Sequence, residues 1–209
     1  VSPEVVRAEA IAWYAETGDP GALHCEAIAL SEIGALRSAA AKMQTVAQLP
    51  DIDTLTRVDL LTQAALLWRQ DGSSDAAFGA LDTALKYQRT PRVLIERSIL
   101  HAERRAWEEA KADLDEALRM APGDDEALAL RAAANRRLGD HRAALQDAEQ
   151  AIAVRPVSAA GWFELGKAEL ALGRKNGARR AWLKAIDVSP GGPYAALARG
   201  QLQDMDGGG

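Results

Sequence analysis

The stretch AAGWFELGKAELALGRKNGARRAWLKAIDVSPGG, residues 159–192, decides the fold. Its informative residues are Trp162, Leu165, Gly166, Gly173, Ala178, Trp182, Ala185 and Pro190. Thirty-four residues upstream the same places hold Leu128, Arg131, Ala132, Gly139, Ala144, Ala148, Ala151 and Pro156. A further copy holds Leu94, Arg97, Ser98, Ala110, Leu114, Ala117 and Pro122. A fixed period of this length marks stacked helical hairpins rather than a closed globule. Two antiparallel helices approach closely only where side chains are small, and Gly166, Ala178 and Ala185 supply such places. Larger apolar residues fill the space between hairpins. Gly173 stands where the first helix ends in a left-handed turn, and Pro190 stops the second.

These residues resemble the tetratricopeptide repeat, whose signature runs Trp-x-x-Leu-Gly-x-x-Tyr, then alanine, an aromatic, alanine and proline at set distances. The resemblance implies an all-α, right-handed superhelical solenoid of antiparallel hairpins. Carried backwards, the register divides the chain into repeats 20–53, 58–90, 91–124, 125–158 and 159–192. The first two lack the closing proline or displace it to Pro50, and the third carries Arg105 where the turn glycine belongs. Residues 1–19 read as an N-terminal helix, a partial repeat or a cap, with Val5, Ala8, Ala12 and Ala15 on one side. Residues 193–205 read as a C-terminal capping helix, and 206–209 as a disordered tail. The start at Val1, without an initiator methionine, reads as a processed or truncated form.

Composition agrees. The chain is 48% hydrophobic but 5% aromatic, so alanine and leucine carry the burial. No window alternates as a strand does, and no apolar run approaches the ~20 residues of a membrane span. A net charge of −5 argues against nonspecific binding to nucleic acid or anionic membrane. The single Cys25 offers no disulfide within the chain. The segments around Ala12-Trp13, His24-Cys25 and the closing Pro-Gly-Gly-Pro-Tyr-Ala-Ala also resemble exported repeat proteins of alphaproteobacteria. That likeness implies a bacterial, periplasmic setting.

Candidate chemistry is sparse. His24 and Cys25 are neighbours on a helix and point about a third of a turn apart, so they form no dyad. His101 and His141 have no ligand-spaced companions, and no phosphate loop, nucleophile elbow or metal motif occurs. A noncatalytic protein without cofactor or metal is expected. One charged pattern recurs: Arg97 with Asp113, Arg131 with Asp147, and, signs exchanged, Glu26 with Lys42. Each pair reads as a tie between the two helices of one hairpin.

Function is therefore expected on the concave side, which the resemblance assigns to the first helix of each repeat. Candidate groove residues are Leu66, Arg69, Arg92, Ile95, Ile99, Arg136, Arg137, Phe163 and Lys167. Apolar anchors beside basic residues suit a peptide or protein partner that is acidic or carries a carboxylate. Chaperone-binding relatives grip a terminal carboxylate with Lys and Asn at positions 5 and 9, Asn at 6 of the next repeat, then Lys at 2 and Arg at 6. No three consecutive repeats here supply that set; Arg92 is the nearest approach. The alternatives to a scaffold are self-association and service as the repeat region of a larger enzyme or envelope assembly.

Overall fold

Every periodic segment becomes a helix. The computed structural model describes residues 1–207, and among them there are twelve helices and no strand. They are α1 (Pro3–Thr17), α2 (Pro20–Glu32), α3 (Leu36–Ala47), α4 (Thr54–Gln70), α5 (Ser74–Tyr87) and α6 (Pro91–Glu103). There follow α7 (Trp107–Met120), α8 (Asp125–Arg137), α9 (His141–Val154), α10 (Ala159–Ala171), α11 (Lys175–Val188) and α12 (Pro193–Gly207). The fold is an all-α helical repeat. It divides within α6 into two compact units, Val1–Leu100 and the part from His101 onward.

In unit 1, α1 to α5 pack each on the next in sequence. The close-approach positions are closed: Ala27, Ala39, Ala77 and Ala84 are each 0% exposed. Met43 fills the space between Ala27, Ala40 and Ala64, with Leu67 and Trp68 against the same cluster. Lys42 Nζ lies 2.9 Å from Glu26 Oε2, so that exchanged pair does tie its hairpin. In α1 the packing differs from the reading of its sequence. Ala10 is its buried residue, while the side carrying Val5, Ala8, Ala12 and Ala15 faces solvent.

In unit 2, α7 to α12 again pack successively, and α10 also touches α8 on one side and α12 on the other. The three first helices α8, α10 and α12 thus lie side by side. Ala144, Ala148, Ala151, Ala178 and Ala185 are fully buried. Trp182, also 0% exposed, lies against Gly166 and donates its indole N–H to the Phe163 carbonyl at 3.2 Å. The last helix closes this core with Ala195 and Ala198, and Leu202 and Met205 pack beside them. It extends through Asp206 and Gly207, both expected in a disordered tail, and Arg179 pairs with Asp206. Gly208 and Gly209 lie outside the described residues.

Helix ends follow from local chemistry. Asp53 accepts from the N–H groups of Leu55 and Thr56 at 2.9 and 3.0 Å, and Asp124 accepts from that of Ala127 at 2.9 Å. Such side-chain caps satisfy donors that the helix cannot. Turns within hairpins use a left-handed residue: Gly139 has φ 88° and Gly173 φ 78°. Arg105 adopts the same conformation, with φ 60°. Left-handed geometry costs a side chain ~1–2 kcal/mol, and glycine's greater freedom when unfolded offsets ~0.5–1 kcal/mol of any gain. Arg105→Gly is therefore expected to stabilise the protein by up to about 1 kcal/mol, read as a rise in melting temperature. A lower melting temperature would mean that the arginine side chain contributes more than its backbone strain takes away.

Candidate partner-binding faces

On unit 1 the candidate residues come from α4 and α6. Arg69 reaches Glu96 at 3.9 Å, and Arg92 donates to Asp59 at 2.7 Å. Both cations have a carboxylate beside them, so this face carries little net attraction for an anion. Leu66 and Ile99 are half-buried, and Ile95 is 6% exposed. Ile95 is a packing residue rather than an exposed anchor.

On unit 2 the candidates come from α8 and α10, and the balance of charge is different. Arg136 Nε lies 3.3 Å from Glu164 Oε2. Arg137 is exposed, its guanidinium 5.4 Å from the centre of the Trp107 ring. Lys167 Nζ donates to Gln201 Oε1 at 2.9 Å. Three cations thus gather where one carboxylate makes direct contact. Burial pushes the Lys167 ammonium below its ordinary pKa, and the positive charge of Arg136 adds to this. Phe163, expected as an anchor, is 8% exposed and sits against Tyr194, ring centres 5.7 Å apart. Phe163 is covered because α10 packs between α8 and α12.

Glu164 is the group that the sequence reading passed over. The residue is 8% exposed, and burial pushes its pKa above the ordinary 4.5, although Arg136, Lys167 and Arg137 pull the other way. A carboxyl whose folded-state pKa is raised destabilises the fold once it must ionise. Its penalty is absent in acid, appears above the unfolded value and is complete above the folded one. Glu164→Gln should therefore lose less melting temperature than the parent between pH 4.5 and neutrality. Parallel profiles would show that the three cations fully offset the burial.

Gln201, Trp107 and Tyr194 complete the surroundings, and the sequence singled out none of them as site residues. The only available signal for Glu164 was a lone carboxylate inside the apolar run Gly161–Gly166. Away from this face, His101 Nε2 lies 3.7 Å from Asp113 Oδ2, a neighbour its sequence position did not reveal. Cys25 is a free thiol. Among the described residues no cluster of His, Cys, Asp and Glu has metal-binding geometry, and no helix is long and apolar enough to cross a membrane.

No family model matches the chain. The heat-shock protein cognate co-chaperone sgt12 of Aspergillus fumigatus is 36% identical over 85 residues. That match covers 41% of this chain and 25% of the relative, so the chain spans about a quarter of that protein's length. A tetratricopeptide repeat protein from Parabacteroides merdae superimposes with a TM-score of 0.74 at 22% identity, over 90% of this chain and 73% of its own. YrrB, described as a TPR protein with an unusual peptide-binding site, gives 0.65 at 18% identity, covering 91% of this chain and 97% of that one. Cut9–Hcn1 of the APC/C gives 0.70 at 16% identity, over 94% of this chain and 38% of that one. At these identities the likeness speaks for the fold, which is that of tetratricopeptide repeat proteins.

Proposed function

We propose that the chain is a noncatalytic protein-interaction scaffold, and that the inner face of unit 2 holds an acidic or carboxylate-bearing segment of a partner. The observation that supports this most is the crowding of Arg136, Arg137 and Lys167 around the single buried carboxylate of Glu164. An incoming carboxylate relieves the mutual repulsion of the cations and finds donors already oriented. Charge complementarity of this kind governs which partner binds and how fast. YrrB, a TPR protein with an unusual peptide-binding site, is a precedent for the use of this fold and not for the ligand.

Arg136 is tied to Glu164, so reversing it would strand a buried carboxylate and confuse binding with stability. Arg137 and Lys167 are the cleaner probes. On an array of random 12-residue peptides the protein is expected to favour carboxylate-rich sequences. Arg137→Glu with Lys167→Gln should weaken the best of these by about tenfold, or ~1.4 kcal/mol, with a melting temperature close to the parent's. The loss should be larger at low salt. An unchanged preference in a folded double variant would move the site off this face.

A second reading, association of copies through a terminal helix, draws on α1, which turns Val5, Ala8, Ala12 and Ala15 to solvent. Light scattering that shows a monomer at micromolar concentration would remove it.

A further inference from the structure

The face that carries Arg137 and Lys167 has an opposite end with opposite charge. At the N-terminal ends of α8, α10 and α12 lies a cavity of about 700 Å³, lined among others by Asp125, Glu126, Val157, Val188 and Tyr194. Its carboxylates differ in how far they are committed. Asp124 caps α8 by accepting from the Ala127 N–H at 2.9 Å. Asp125 is 3.7 Å from Arg155, whose side chain is 63% exposed and free to yield the position. Glu126 is exposed and makes no hydrogen bond or ion pair among the described residues. The rest of the wall is mixed, with Arg155, Ser158 and Ser189 beside Val157, Val188 and Tyr194. Val157 and Val188 could cover the methylene stem of a long cationic side chain while its head meets Asp125 and Glu126.

The two ends belong to one surface. Glu126 and Arg137 are eleven residues apart on α8, which at about 100° per residue is close to three full turns. They therefore share a helix face, and the rise places them roughly 16 Å apart. Tyr194 of α12 lines the cavity and packs its ring 5.7 Å from that of Phe163 on α10.

We infer that this face reads a bipolar segment of its protein partner. A carboxylate sits at Arg137 and Lys167, and a lysine, an arginine or a terminal amine of the same segment enters the cavity beside Glu126. The inference rests on the scaffold reading above and adds the second charge and its spacing. A separation of roughly 16 Å is spanned by about five residues of extended chain or eleven of helix. A uniformly acidic segment would meet repulsion at the cavity end, so the arrangement discriminates among acidic partners rather than accepting all of them.

The same random 12-residue peptide array tests this, with Glu126→Lys and the milder Glu126→Gln beside the parent. Enriched peptides are expected to pair a carboxylate with a lysine or arginine at one of those two spacings. Glu126→Lys should weaken the best bipolar peptide at least tenfold, Glu126→Gln less so, with melting temperatures near the parent's. Changing the peptide's cation to glutamate should restore binding to Glu126→Lys. Enrichment for carboxylates alone, indifferent to both substitutions, would overturn the bipolar reading and leave the scaffold reading standing. No charge preference, or no binding above background, would overturn both.

Discussion

Gly166→Ala is expected to destabilise the protein by about 2–3 kcal/mol, near the upper end of what overpacking a core usually costs. In an ordinary helix interior the same change would stabilise by ~1 kcal/mol, so the sign itself is diagnostic. A Cβ on Gly166 would stand 2.2 Å from Trp182 Nε1 and 2.4 Å from Cδ1. The indole has no easy retreat. It is 0% exposed, its N–H is held by the Phe163 carbonyl at 3.2 Å, and Ala178 and Ala185 close the space around it. Either the ring rotates and leaves its hydrogen bond, or α10 and α11 move apart. Urea or thermal unfolding measures the loss. The cause is separable by repeating the change in a Trp182→Leu background. There the alanine has room, and its penalty should largely vanish, a non-additivity expected of residues in contact. A Gly166→Ala protein that unfolds like the parent would show that the indole does not rest on this glycine.

Gly166 and Trp182 also show what the sequence could disclose. A small residue and a large one recur at a fixed offset because one hairpin is built the same way each time. Contacts inside a hairpin are therefore periodic, and periodicity can be read from residues alone. At Arg105 the register marked the place of the turn but not its conformation, since a missing glycine allowed a reshaped turn; the residue is left-handed there, with φ 60°. Contacts between neighbouring first helices are less regular. Arg136 meets Glu164 at a separation of 28 residues, Arg92 meets Asp59 at 33, and Arg69 meets Glu96 at 27. Long side chains choose among several carboxylates within reach, and no offset in the sequence announces the choice. The burial of Phe163 escaped for a related reason: it depends on α8 and α12 lying on either side of α10. The exposed stripe of α1 shows the opposite failure, since a helix with small residues on one side need not bury that side.

The charged tie in the fourth repeat is expected to behave asymmetrically. Arg131 grips Asp147 with two donors, Nε to Oδ2 at 2.9 Å and Nη2 to Oδ1 at 2.6 Å. Its remaining Nη1 donates to Asp115 at 2.8 Å, and Asn135 Nδ2 donates to Asp147 at 2.9 Å. Hydrogen bonding to Asp147 holds the guanidinium proton above its ordinary affinity, against the effect of burial. Asp147 is 6% exposed. Arg131→Ala leaves that carboxylate buried with Asn135 as its one remaining donor. Stranding a buried charge costs ~3–5 kcal/mol, and with the Arg131 side chain 22% exposed the expected loss is nearer 2–4 kcal/mol. Asp147→Ala should cost less, about 1–2 kcal/mol, because Arg131 keeps Asp115 and some access to water. The double variant should lose clearly less than the sum of the two. Arg131→Lys should recover only part of the loss, since an ammonium cannot form the two-pronged grip. None of these four variants should alter the charge preference at Arg137 and Lys167, which belong to the proposed binding face. A double-mutant cycle in urea unfolding decides the matter. Losses that add to within about 0.5 kcal/mol would mean that the pair is a surface accident rather than the tie between α8 and α9.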